Sequence, residues 1–136
     1  MAIAPLRPAL LAALLGACAS TAPTSTSLEN LGARPTDMVC AVQIDFGSAC
    51  CGVNAAAYSA VTAYLTHARG VDRAVRWTWG REGESSICLS AADPGAADRV
   101  VDDIRRLKIP PASNMAYTML SSGSRTLRLD PPAAKP

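Results

Sequence analysis

The chain has 136 residues, room for one domain, and its apolar fraction of 49% rests on 26 alanines while aromatic residues supply only 4%. Thirteen basic against eleven acidic residues leave a net charge of +2, which argues against a nucleic-acid partner held by a basic surface. No apolar run of about 18 residues occurs, which excludes a multi-pass membrane protein, and a single histidine excludes any site that needs two.

The N-terminal stretch reads as an address. Arg7 is its only charge, and Ala9 to Ala17 is an apolar block, too short to span about 30 Å of hydrocarbon but suited to the core of a secretory signal. The block closes with Leu15-Gly16-Ala17-Cys18, followed by Ala19 and Ser20. This closely resembles the lipobox of bacterial lipoproteins. The resemblance implies that residues 1–17 are removed, that Cys18 carries a diacylglycerol thioether and palmitate-type acyl chains, and that Cys18 becomes the first mature residue. Ala19, in place of an aspartate, resembles lipoproteins passed on to the outer membrane. Two or three acyl chains, at about 0.8 kcal/mol per buried methylene, make such an anchor effectively permanent. An ordinary secretory signal cleaved nearby is the alternative. Pro5 and Pro8 speak against a buried N-terminal helix.

Residues 18–37 then form the lipidated cysteine and a Ser/Thr/Pro-rich segment that buries too little to offset chain entropy. The expectation is a disordered tether, reaching roughly 25 Å as a coil and about 65 Å drawn straight. At the other end, residues 130–136 (DPPAAKP) hold three prolines and read as a loose tail. The body is residues 38–129.

Within the body the hydrophobic period alternates between two and 3.6. Met38 to Phe46 places Met38, Cys40, Val42, Ile44 and Phe46 on one face of a strand. Asn54 is a good N-cap for a helix burying Ala57, Val61, Tyr64, Leu65 and Ala68, with Gly70 beyond its end. Val71 to Trp79 is a second strand with Val75, Trp77 and Trp79 on one side, and residues 80–84 turn it into a third, Ser85 to Ala91, with Ile87 and Leu89 inward. Asp93-Pro94 opens a second helix with Ala97, Val100, Val101, Ile104 and Leu107 as its buried stripe. Ile109-Pro110-Pro111 stops it. Met115 to Leu120 and Arg125 to Leu129 pair about a turn at Ser122-Gly123. The order is that of an α+β, ferredoxin-like βαββαβ sandwich, with two helices on one face of an antiparallel sheet and a possible extra C-terminal strand.

Four cysteines remain after Cys18: Cys40, Cys50, Cys51 and Cys88. Export makes disulfides the expectation. Cys40 and Cys88 would lie on neighbouring strands, but Cys40 shares a face with Val42 and Ile44 while Cys88 points away from Ile87 and Leu89. Parity therefore favours Cys88 with Cys50 or Cys51. A metal reading stands beside this. Phe46 to Gly52 occupies the loop in which heavy-metal-associated domains carry a C-x-x-C pair, and Gly70 to Val75 resembles the opening of their second strand. The resemblance implies copper or zinc on Cys50 and Cys51, and Cys88 is a further candidate ligand for that reading. Adjacent cysteines, however, diverge and chelate one soft ion poorly.

The hairpin and the loop after the first strand should emerge at one end of the sheet, where Asp45, Ser48, Trp79, Arg81, Glu82 and Glu84 would share a binding rim. The alternative is a solvated charged turn, with Trp77 and Trp79 packed beneath the helices. His67, near the end of the first helix, reads as a solvated histidine favoured by the helix dipole, without the surroundings of a catalytic base. Arg105, Arg106 and Lys108 suit the end of the second helix. No phosphate loop, dinucleotide fingerprint or zinc-protease pattern occurs, and no cofactor is implied. The sequence reading is a lipid-anchored envelope module, non-enzymatic, that binds an envelope protein or cell-wall component, with soft-metal binding as the alternative.

Overall fold

The computed structural model describes residues 25–112 and 115–131, so the signal and Cys18 lie outside the described residues. The elements in chain order are β1 (Leu28–Leu31), β2 (Val42–Ser48), α1 (Ala55–Leu65), β3 (Val71–Thr78), β4 (Ser85–Ala91), α2 (Pro94–Arg105), β5 (Ala116–Ser122) and β6 (Arg125–Arg128). They build an α+β structure around one six-stranded mixed sheet of order β1-β3-β4-β2-β5-β6. Among the described residues no helix is long and apolar enough to cross a membrane.

Local chemistry explains both helices. The Asn54 carboxamide oxygen accepts from the Ala57 N–H at 3.1 Å, and the Asp93 carboxylate accepts from the Ala96 N–H at 2.7 Å, so each helix satisfies an orphan donor of its first turn. Pro94 supplies the fixed φ of the first helical position. Both helices cover the same face of the sheet. Ala57, Val61 and Leu65 from α1 meet Val100, Val101 and Ile104 from α2 over Val42, Ile44, Phe46, Ile87, Leu89 and Leu120. Gly70 fits this packing twice over. Its φ is +77°, and a Cβ there would stand 2.7 Å from the Ala96 Cβ.

Three expectations are corrected by the tertiary structure. The first concerns the tether, since Leu28–Leu31 is an edge strand paired in parallel with β3. Composition undervalues such a segment because its stability comes from its neighbour. Leu28 packs on the main core and Leu31 on the opposite side, Glu29 Oε2 accepts from both Arg73 Nε and Nη2 at 3.1 and 3.0 Å, and the Thr26 hydroxyl donates to the Val71 carbonyl.

The second concerns Cys40. β1 runs parallel to β3, and β2, being antiparallel to β4, runs parallel to β3 as well. Residues 32–41 must therefore return over the helix-free face. There Met38 and Cys40 pack on Val75, Trp77 and Cys88, and the Arg34 guanidinium sits 5.9 Å from the Trp77 ring. A bend at Ala41 separates this strap from β2, so the alternation that begins at Val42 does not extend back to Cys40. Cys40 is bonded to Cys88, Cα to Cα 5.2 Å, and Cys50 is bonded to Cys51. Cys88 does not pair with either loop cysteine.

The third is Asp130, placed by sequence in the loose tail. It is 1% exposed. Its carboxylate accepts from the Thr118 N–H at 3.0 Å, the Thr118 hydroxyl at 3.3 Å, the Asn54 side-chain amide at 3.3 Å and Arg128 Nε at 3.2 Å. A buried carboxylate is tolerated because its lone pairs are taken up. Residues 132–136 lie outside the described residues.

Two stability outcomes follow from these linkages. The Cys40–Cys88 bond spans 48 positions, so a Cys40→Ala/Cys88→Ala variant should lose about 4 kcal/mol in urea unfolding. Asp130→Ala, which strands Asn54, Thr118 and Arg128 donors, should lose about 2–4 kcal/mol by the same measurement.

Candidate binding face

The helices leave one face of the sheet free, and the strap covers only the part over β3 and β4. The rest is built by period-two alternation. While Val42, Ile44 and Phe46 enter the core, Gln43, Asp45 and Gly47 point the other way, opposite Ser121, Met119 and Tyr117 of β5. Asp45 also faces Ser86 of β4, which in turn faces Trp77 of β3.

Asp45 is the centre of a hydrogen-bonded chain. The Trp79 indole N–H donates to the Ser86 hydroxyl at 3.0 Å, that hydroxyl donates to Asp45 Oδ1 at 2.5 Å, and the Gln43 amide donates to the same oxygen at 2.8 Å. Linked donors polarise one another, which orients the indole and the carboxamide about a fixed carboxylate. Both bonds fall on Oδ1, and Oδ2 accepts none among the described residues. Trp79 is 49% exposed, so its ring is held in place by its own N–H while a large part of it stays accessible.

Tyr117 supplies a second ring. It lies against the backbone of Gly47, where a Cβ would stand 2.1 Å from Tyr117 Cζ. Glycine is required there for close approach and not for its backbone angles. Met115, 59% exposed, immediately precedes the same strand, and its carbonyl accepts from the Ala49 N–H at 3.2 Å, tying the start of β5 to the loop that holds Cys50 and Cys51.

Of the residues expected at the rim, the structure joins Asp45 and Trp79, through Ser86. Arg81 and Glu82 are exposed on the hairpin turn. Glu84 is not a rim residue. It is 6% exposed, its carboxylate accepts the Glu82 N–H at 2.6 Å, and it is packed against Gly80, so it closes its own turn. Ser48 serves its loop, accepting from the Cys50 N–H at 3.1 Å and donating to the Cys50 carbonyl. Trp77 is buried, but beneath the strap and not beneath the helices. Ser86, Gln43 and Tyr117 were missed; the register opposite Asp45 and Gly47 carries their role, and register is a property of paired strands.

Joined to each other, Cys50 and Cys51 are not the thiolates that a soft metal takes, and among the described residues no group of three His, Cys, Asp or Glu side chains could hold an ion. His67 is exposed beside Tyr64, Arg69, Arg99 and Asp103 in a shallow hollow. There Tyr64 donates to Asp103 at 3.2 Å, and burial first, then the Asp103 charge, pushes the phenol up to about 12. A groove at the end of the sheet away from Trp79, lined by Ala41, Ala91, Asp93, Ala97 and Ser122, carries the exposed Arg125–Asp98 pair.

No family model, curated protein or solved structure matches the chain. The functional reading therefore rests on geometry and sequence.

Two outcomes test this geometry. Gly47→Ala should displace the Tyr117 ring and lower stability by about 1–3 kcal/mol, read by near-ultraviolet circular dichroism and urea unfolding. Tyr64 keeps its proton in the folded chain above the ordinary phenol value of 10.0 and loses it near 12. Its contribution to stability is thus complete below pH about 10 and lost as pH rises towards 12. In Tyr64→Phe this part of the alkaline decline should disappear from the pH profile of unfolding.

Proposed function

We propose that the protein is a lipid-anchored module of the bacterial envelope that holds a cell-wall glycan against the helix-free face of its sheet. The observation that carries the binding reading is the chain from Trp79 through Ser86 to Asp45 and Gln43, which fixes a half-exposed indole beside a carboxylate. A protein interface is commonly centred on apolar and aromatic anchors depleted of charge. Here the centre is a carboxylate and an amide, with Trp79 on one side and Tyr117 on the other. Hydroxyl groups of a saccharide suit the former, and the weakly polar C–H faces of its ring suit the latter.

Anchoring rests on Leu15-Gly16-Ala17-Cys18 and its resemblance to a lipobox, and Ala19 favours the outer membrane, with the domain in the periplasm. The fold is read as ferredoxin-like. The inner strands lie in the order β3-β4-β2-β5, with α1 and α2 linking strands that stand apart, and this arrangement supports a βαββαβ core to which β1 and β6 are added. The presence of β1 shortens the tether to the residues before Thr26, so the domain would sit closer to the headgroups.

The experiment has two arms. Cys18→Ser should move the protein from the membrane to the soluble fraction, with the mass of the acyl chains lost. Unchanged partition would overturn the anchor. Purified wild-type protein should sediment with insoluble cell-wall sacculi, and Trp79→Ala or Asp45→Ala should lower that binding by about tenfold, the effect of about 1.4 kcal/mol. Equal sedimentation of wild type and variants, or crosslinking of this face to a protein alone, would overturn the glycan reading.

A further inference from the structure

We propose that the Cys50–Cys51 disulfide is a thiol-exchange site, opened by a dithiol and re-formed by the reverse exchange with that dithiol's disulfide, while Cys40–Cys88 stays closed. The two bonds differ in what they do for the chain. Cys40–Cys88 closes a long loop, so it restrains the unfolded chain, and its Cys88 is fully buried while Cys40 is half-buried. Cys50–Cys51 has a sequence separation of 1. It closes no loop, and the stabilisation that disulfides draw from chain entropy is absent.

Its surroundings are those of a reactive bond. Cys50 is half-buried and Cys51 exposed, and exposed disulfides are the labile ones. Cys51 has φ +72°, and is the non-glycine residue with positive φ among the described residues. That conformation costs of order 1 kcal/mol or more and persists where its surroundings impose it. Ser48 meanwhile clamps Cys50 through both its N–H and its carbonyl, so the near side of the loop is fixed and Cys51 with Gly52 projects from it.

The exchange balances with a dithiol as reductant. A thiolate of the dithiol attacks Cys51 Sγ, the Cys50–Cys51 bond breaks, and Cys50 Sγ leaves as a thiolate and takes a proton. The second thiolate of the dithiol then attacks its own sulfur in the mixed disulfide, releasing Cys51 as a thiolate that is protonated in turn. Two electrons and two protons have moved to the cysteines, and the dithiol has become a disulfide. Once open, Cys51 is free to leave the left-handed region, and the loop that changes is the one bonded to Met115 through Ala49. The site does not depend on what the helix-free face binds.

The full chain, purified oxidised, is titrated with dithiothreitol, its thiols are blocked with N-ethylmaleimide, and the labelled peptides are read by mass spectrometry. The peptide holding Cys50 and Cys51 should take two labels at dithiothreitol concentrations at least about tenfold below those that label Cys40 and Cys88. Simultaneous labelling, earlier labelling of Cys40 and Cys88, or free thiols at Cys50 and Cys51 before any reductant would overturn the proposal. In Cys50→Ser, the single thiol of Cys51 should form a mixed disulfide with oxidised glutathione. A chain that carries none, with Cys40–Cys88 intact, also overturns it.

Discussion

Because β1 and β2 both run parallel to β3, the chain between them has to travel back along the sheet. With two helices already occupying one face, the remaining route lies across the other, and residues 32–41 take it. This return decides most of what is distinctive about the molecule. It buries Val75, Trp77 and Cys88 in a second apolar cluster, brings Cys40 within bonding distance of Cys88, and confines the accessible part of the face to the side of β2 and β5.

The open part is shaped by the same alternation that fills the core. Each strand that sends Val42, Ile44 or Phe46 towards the helices must send Gln43, Asp45 or Gly47 away from them. A sheet of this kind therefore carries a ready surface, and its chemistry follows from the residues that core packing leaves unconstrained. Here they are a carboxylate, an amide, a hydroxyl and two aromatic rings. The indole is fixed by its own hydrogen bond to Ser86, which limits the rotamer entropy lost when a ligand covers it.

The first strand and the segment after the last are both stitched in by polar contacts that composition does not register. Glu29 and Thr26 secure the first strand against β3, and Asp130 draws β5, the cap of α1 and Arg128 onto one buried carboxylate. A segment rich in Ser, Thr and Pro looks unable to fold because its own apolar content is small. An edge strand escapes that limit, since the neighbouring strand supplies its hydrogen bonds and a few leucines supply its packing. Asp130 was obscured by the prolines that follow it, and its partners Thr118 and Asn54 lie 12 and 76 positions away in the chain.

The sequence by itself determined the two helices, the hairpins and the α+β class, because caps, turn residues and hydrophobic period are local signals: Asn54, Asp93-Pro94, Gly70 and Ser122-Gly123 each act within a few residues. It also placed Asp45 and Trp79 at the same end of the sheet, on strands that β4 separates and Ser86 bridges. Only the tertiary structure decided which sulfurs meet, that Glu84 folds into its own turn, and that Ser86, Gln43 and Tyr117 complete the face. Those facts depend on register and on a bend at Ala41 that shifts parity by one residue. A one-residue shift moves a side chain to the other face, and no local pattern in the chain reports it.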